Sequence, residues 1–270
     1  MGVVNVTPDS FSDGGKFYAP DAALAQGEKL AAEGADIIDI GGESTRPFSQ
    51  AIPAEEEIRR VVPVIKKLAQ RVTVPISIDT MKAVVAQRAI EAGASIINDV
   101  SAFRFDADLA SIAVEYDTPV IMMHMLGNPK TMQVSPSYVH LIEEIRKFLE
   151  DAVKRAEKQG VPRSKVIVDP GIGFGKTVDH NLLLIKHLED FTSLNVPILI
   201  GPSRKAFIRK ILKEEYLEDL QPDMPAVEVG TQAAVAAAVL NGAHIVRVHD
   251  VASTFLIVKI LDAVMNAVEH

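Results

Sequence analysis

Short apolar runs and longer helix-period segments alternate along the whole chain, and that alternation restricts the fold more than any other feature. The runs are Val3–Val6, Ile37–Ile40, Ile76–Ile78, Ile96–Ile97, Val120–Met123, Val166–Val168, Ile198–Ile200 and Ile245–Val248. They are almost continuously apolar, the pattern of parallel strands covered on both faces. Between them lie Ala22–Ala32, Glu55–Leu68, Met81–Ala92, Leu141–Lys158 and Leu182–Leu188, with apolar residues at helical spacing. Eight such units in a row predict an α/β fold: a single-domain (β/α)8 TIM barrel with parallel strands over residues 1–270. A length of 270 residues suits one barrel, for which about 250 is usual.

Local punctuation agrees with this layout. Gly34, Gly93 and Gly242 each close a helical segment just before a strand, where a left-handed C-cap favours glycine. Pro63 falls inside the second helical pattern and predicts a kink near Arg59–Val62. The polar stretch Leu217–Pro225 reads as a loop extension after the seventh strand, since no long linker tract divides the chain. The last helix, Thr254–Val268, carries more apolar residues than one barrel-facing stripe needs, which predicts a homodimer through the C-terminal helices.

Composition sets further limits. Hydrophobic residues make up 48% but aromatics only 5% with no Trp, so the core must come from Ile, Val, Leu and Ala. A formal charge of -8 disfavours nucleic acid as a partner, and any anionic ligand must meet a local group of cations. The lack of Cys excludes a disulfide framework. No apolar run is long enough to span a bilayer and no basic-then-apolar leader opens the chain, so a cytoplasmic location is expected. Met1–Val6 already reads as strand, which predicts that a short leading segment is absent.

The polar residues cluster after the strands. Asn5 closes the first, Asp39-Ile40-Gly41-Gly42-Glu43 the second, Asp79 the third, Asn98-Asp99 the fourth and His124 the fifth. Asp169-Pro170-Gly171 follows the sixth, Gly201-Pro202-Ser203-Arg204-Lys205 the seventh and Arg247-Val248-His249-Asp250 the eighth. In this fold those positions converge on one mouth, where active sites lie. Helix capping and ligand binding both fit Asp39, Asp99 and Asp250. His124 fits a packed imidazole as well as a substrate contact. Lys205 and Arg247, with Arg204 and His249 beside them, form a basic group that suits a phosphate or pyrophosphate. Its bland counterpart pairs Arg247 with Asp250 or another core carboxylate. The run Pro170–Thr177 imitates a Walker A loop, but Pro170 stands where the first glycine is required.

Taken in order, these junctions resemble one family, the dihydropteroate synthases. The resemblance rests on MGVVNVTPDSFSDGG at Met1–Gly15, GGESTRP at Gly41–Pro47, SIDT at Ser77–Thr80 and IIND at Ile96–Asp99. It continues through MHMLGNPKTMQ at Met123–Gln133, DPGIGFGK at Asp169–Lys176, SRK at Ser203–Lys205 and RVHDV at Arg247–Val251. It implies condensation of 6-hydroxymethyl-7,8-dihydropterin pyrophosphate with 4-aminobenzoate, giving dihydropteroate and pyrophosphate, and a site that sulfonamides block. By position, Asp79, Asn98, Asp169 and Lys205 would hold the pterin. Arg247 and His249 would bind the pyrophosphate, and Asn5 would ligate Mg2+. Thr45 would touch substrate, while Arg46, Phe174, Ser203 and Arg204 would surround the aminobenzoate. Asn5–Gly15 and Gly42–Gln50 would be mobile loops. Asp79, Lys205, Arg247 and His249 would carry the chemistry.

Chemistry supports those assignments. A carboxylate such as Asp169 accepts the two parallel donors of an amino-pyrimidinone edge. Asn98 can donate and accept beside it. With no evident nucleophile–base pair, a dissociative loss of pyrophosphate fits the inventory, Asp79 supporting the cation electrostatically. The alternative enzyme is a pterin-binding methyltransferase acting on a methylated folate and a corrinoid protein; it shares Asp79, Asn98 and Asp169 but needs no pyrophosphate contacts. A non-catalytic pterin-binding protein and an aldolase-like barrel using Lys205 as a Schiff base are weaker readings.

Overall fold

The computed structural model describes residues 1–7, 19–45, 49–216 and 220–268. Eight strands form: β1 (Gly2–Asn5), β2 (Ile38–Gly41), β3 (Ile76–Asp79), β4 (Ile96–Asp99), β5 (Val120–Met123), β6 (Val166–Asp169), β7 (Leu199–Ile200) and β8 (Ile245–Val246). All lie on the runs predicted for them. β1 to β6 pair in parallel in chain order, and β7 pairs with β8. A bridge from Val168 to Ile198 joins β6 to β7, and one from Gly2 to Val248 returns the sheet to β1. The barrel closes.

The predicted helices are α1 (Ala19–Ala32), α2 (Ala54–Leu68), α3 (Ala83–Glu91), α5 (Leu141–Lys158), α6 (Val178–Lys186) and α9 (Val251–Met265). α2 runs unbroken across Pro63 to Leu68. α4 (Asp108–Glu115), α7 (Ala206–Tyr216) and α8 (Pro225–Leu240) complete the ring. α8 is rich in Ala and Val all round, so no apolar stripe marks it in the sequence. One expectation changes here: the polar stretch before Pro225 separates α7 from α8 instead of extending the loop directly after β7. Gly34, Gly93 and Gly242 do take the left-handed cap, with φ of 98°, 119° and 98°.

Two apolar clusters follow from the two-residue period of a strand. Outward residues such as Val4, Ile38, Ile40, Ile78, Ile97 and Val168 pack with the helices. Met1, Ile96, Ile121 and Leu199, with Ile37, Ile167 and Ile245, form a separate cluster that floors the barrel interior. Stepping two residues along from these floor positions gives Val3, Asp39, Asn98, Met123, Asp169, Gly201 and Arg247. The layer above an apolar floor is therefore largely polar. No helix among the described residues is long and apolar enough to cross a membrane.

Candidate active site

Strand register assembles the pocket. Asn5 pairs with Gly41, Gly41 with Asp79, and Asp79 with Asn98, so these ends share one row. Asn5 is half-buried, whereas Asp79, Asn98 and Asp169 are buried. Asn98 faces inward and its neighbour Asp99 outward. Asp99 consequently accepts the backbone N–H groups of Ser101 at 2.8 Å and Phe103 at 2.6 Å, a structural role. Asp250 caps α9 by accepting from Ser253 N at 3.0 Å.

Arg247 reaches across the interior to two carboxylates. Its Nε donates to Asp39 Oδ2 at 2.7 Å, and its Nη2 donates to Asp79 Oδ2 at 2.9 Å. Of the pairings weighed from sequence, the core-carboxylate one holds, and Asp250 is not the partner. Burial raises the Asp79 carboxyl to about 7, against the opposing pull of Arg247. Arg247 is itself held more firmly protonated: burial works against its charge, but Asp39 and Asp79 outweigh it. Asp39 Oδ1, Asp79 Oδ1 and Ser77 Oγ are buried with no hydrogen-bond partner among the described residues. Unsatisfied buried acceptors of this kind suit a polar ligand's donors.

Asp169 sits at the end of β6 and accepts Gly171 N at 2.6 Å. Burial raises its carboxyl to about 6, while the Gly171 N–H and then Lys205 and Lys176 oppose the shift. The loop that follows needs glycine. Gly171 has a φ of 75°, and a Cβ there would stand 1.9 Å from the carbonyl oxygen of His124.

Each of the four basic residues has its own immediate partners, while Lys205 and Arg247 both act on the Asp169 carboxyl. Lys205 Nζ lies 4.1 Å over the centroid of the Phe174 ring. Arg204 turns to α8: its backbone N–H donates to Thr231 Oγ1 at 3.1 Å, and its Nε lies 3.4 Å from Glu228 Oε2. Ser203 Oγ is 2.9 Å from His249 Nδ1 and accepts the His249 backbone N–H at 3.2 Å. A serine hydroxyl carries one donor and two lone pairs, so it serves either tautomer of the His249 imidazole at Nδ1. His249 and Arg204 share a polar groove of about 340 Å³ with Lys29, Glu33 and Asp250. Thr45 is half-buried on the segment after β2. Arg46 lies outside the described residues, as do residues 8–15 of the first loop and 46–48 of the second.

His124 is packed and hydrogen-bonded in the structure. It is buried, stands edge-on to Phe148 at 4.8 Å, and has Nδ1 3.0 Å from Lys176 Nζ. Burial, reinforced by Lys176 and Arg104, pushes its pKa well below the ordinary range. Lys176, the lysine of the Walker-like run, points away from any phosphate-loop role. Its Nζ also donates to Phe174 O at 2.9 Å, and burial lowers its pKa to about 7. Sequence reasoning missed this residue because nothing local marks a loop lysine as buried. It also missed Lys82, which donates to Glu57 at 2.6 Å, to Ile52 O at 2.9 Å and to Glu43, and so ties both ends of the segment carrying Thr45.

Comparison with known proteins gives this geometry a family. The family model described as pterin binding enzyme matches residues 1–249. The dihydropteroate synthase of Synechocystis is 44% identical over 263 residues, spanning 97% of this chain and 89% of that protein. A solved Xanthomonas albilineans dihydropteroate synthase with 4-aminobenzoic acid superposes with a TM-score of 0.90 at 42% identity, covering 99% of this chain and 93% of that one. The same bacterium's enzyme in complex with 7,8-dihydropteroate gives 0.87 at 40% identity, covering 99% and 94%. The chain belongs to the dihydropteroate synthase family of pterin-binding enzymes.

Proposed function

We propose that this protein condenses 6-hydroxymethyl-7,8-dihydropterin pyrophosphate with 4-aminobenzoate, forming 7,8-dihydropteroate and releasing pyrophosphate. The observation that carries the reading is the inward layer in which Asp79, Asn98 and Asp169 stand around Arg247 above an apolar floor. A flat heterocycle with several donors suits the orphaned buried acceptors of that layer.

Asp169 accepts the amino-pyrimidinone donors, Asn98 meets the neighbouring edge, and Lys205 donates to the ring carbonyl. Arg247 and the His249 imidazole grip the diphosphate. Loss of the diphosphate leaves positive charge on the pterin methylene, which ionised Asp79 supports. Neutral arylamine then attacks without a strong base. Phe174 beside Lys205, with Ser203 and the Thr45–Arg46 segment, bounds the aminobenzoate; Arg204 joins them only by leaving Glu228.

Mg2+ fits as a companion of the substrate. Among the described residues no group of three His or acidic side chains could hold a metal alone. Mg2+ is commonly bound by one or two protein oxygens plus substrate phosphates, and Asn5 stands half-buried at the end of β1, where its amide oxygen could serve as one of them. When bound, the ion supplies charge neutralisation on the leaving diphosphate. The protein acts as one catalytic domain in the cytoplasm. It pairs as a homodimer through α9, where Leu256, Ile260 and Val264 are 64%, 66% and 63% exposed.

A pyrophosphate-release assay with the dihydropterin substrate, with and without 4-aminobenzoate, tests the activity. Release that depends on the arylamine, with dihydropteroate appearing in step, is the expected result. Methyl transfer to a corrinoid protein with no pyrophosphate release would instead select the methyltransferase reading.

A further inference from the structure

Asp39 is fully buried on β2, one strand step below the mouth, and the chemistry above gives it no task. Two hydrogen bonds and one ion-pair contact converge on a single one of its oxygens. Oδ2 accepts Arg247 Nε at 2.7 Å, lies 2.6 Å from Arg247 Nη2, and accepts Asn98 Nδ2 at 3.2 Å. Oδ1 has no partner among the described residues.

We infer that Asp39 is a positioning residue that orients Arg247 and Asn98 together from beneath the pocket, presenting one to the diphosphate and the other to the pterin. A guanidinium is planar, so holding its Nε–Nη2 edge fixes the whole group. Both carboxylates engage Arg247 through that edge, and Nη1 makes no hydrogen bond among the described residues. Nη1 is the donor left for an incoming anion. Donation from Asn98 Nδ2 to the same carboxylate sets the amide's orientation too, leaving its Oδ1 to accept from a ligand. Asp79 cannot replace this device, because it touches only Nη2 and makes no bond to Asn98. The chain uses register to build it: Asp39 pairs with Val3 and Ser77 at the level just under Asp79 and Asn5.

The inference rests on reading Arg247 as the diphosphate contact, and its test separates the two. Asp39→Asn, Arg247→Lys and the double variant are compared with wild type. Steady-state kinetics are run for both substrates, and calorimetry follows inorganic pyrophosphate with Mg2+. Asp39→Asn is expected to raise KM for the pterin substrate and weaken pyrophosphate by ~10-fold, while KM for 4-aminobenzoate moves by less than about twofold. Arg247→Lys keeps the charge without the Nε–Nη2 edge and is expected to lose as much. The double variant should be no worse than about twofold beyond Arg247→Lys, since both changes break one linkage. Multiplicative losses, or pyrophosphate affinity of Asp39→Asn within about twofold of wild type, would overturn the inference. If Asp39→Asn fails to fold, Arg247→Lys decides: retained pyrophosphate affinity shows that the edge held by Asp39 is immaterial. A wild-type chain that binds pyrophosphate but never turns over defeats the enzymatic reading alone, and the calorimetric comparison still stands.

Discussion

Lys176 Nζ lies 3.0 Å from His124 Nδ1, so two bases face each other beside Phe148 and Tyr138. Lys176 Nζ also donates to Phe174 O at 2.9 Å, and with burial lowering its pKa to about 7 it exchanges its proton near neutral pH. The pair joins the end of β5 to the loop after β6, and so braces the wall on which Asp169 and Phe174 stand.

The Lys176 proton gives the first prediction. Its folded pKa is depressed to about 7 from 10.5, so between those values the unfolded chain binds more protons than the folded one. Stability should therefore rise with pH across that window, and Lys176→Met should remove the rise. Thermal unfolding as a function of pH measures it; an identical slope in the variant would show that Lys176 is charged when folded.

Asp169 predicts a pH dependence of ligand binding. Its carboxyl is raised to about 6, so affinity for a bare pterin should increase as pH rises through that value and level off above it. Asp169→Asn should flatten the profile and weaken binding by about 1.5–3 kcal/mol. Calorimetry with a pterin lacking the diphosphate reads both, and an unchanged affinity would remove Asp169 from the site.

Gly171→Ala adds a Cβ 1.9 Å from the His124 carbonyl oxygen at a φ of 75°. Backbone must move, which should lower stability by about 1–3 kcal/mol and disturb the Asp169–Gly171 bond. Denaturant unfolding together with pterin titration checks this. A variant as stable as wild type with full pterin affinity would contradict it.

His249→Ala should weaken inorganic pyrophosphate binding by ~10-fold while leaving the affinity for a bare pterin unchanged. Ser203→Ala, which removes both the contact with Nδ1 and the acceptor of the His249 backbone N–H, should fall between His249→Ala and wild type. Equal damage to both ligands would mean that His249 supports the fold instead of the diphosphate.

The α9 face predicts the oligomeric state. Leu256, Ile260 and Val264 leave an apolar stripe in solvent, continued by Met265 at 49% and Val268 at 72% exposure. Sedimentation should find a dimer, and Ile260→Glu should dissociate it without loss of helix content. A wild-type monomer at the concentrations used for assay would end the proposal.

The sequence by itself determined the barrel. Eight strands write their own signal as apolar runs, and glycine caps mark where helices stop, because both depend on residues adjacent in the chain. Strand-end position also nominated Asp79, Asn98, Asp169 and Arg247. Tertiary structure alone decided which of the polar neighbours point inward together. Asp39 and Asp99 look alike along the chain, yet the pleat sends one to Arg247 and the other to the backbone of Ser101 and Phe103. Arg204 and Lys205 are consecutive, yet one turns to Glu228 and the other to Phe174. Partners far apart in sequence, such as Lys176 with His124 or Arg247 with Asp39, are fixed by closure of the sheet. No local pattern encodes a contact that exists only once β8 has met β1.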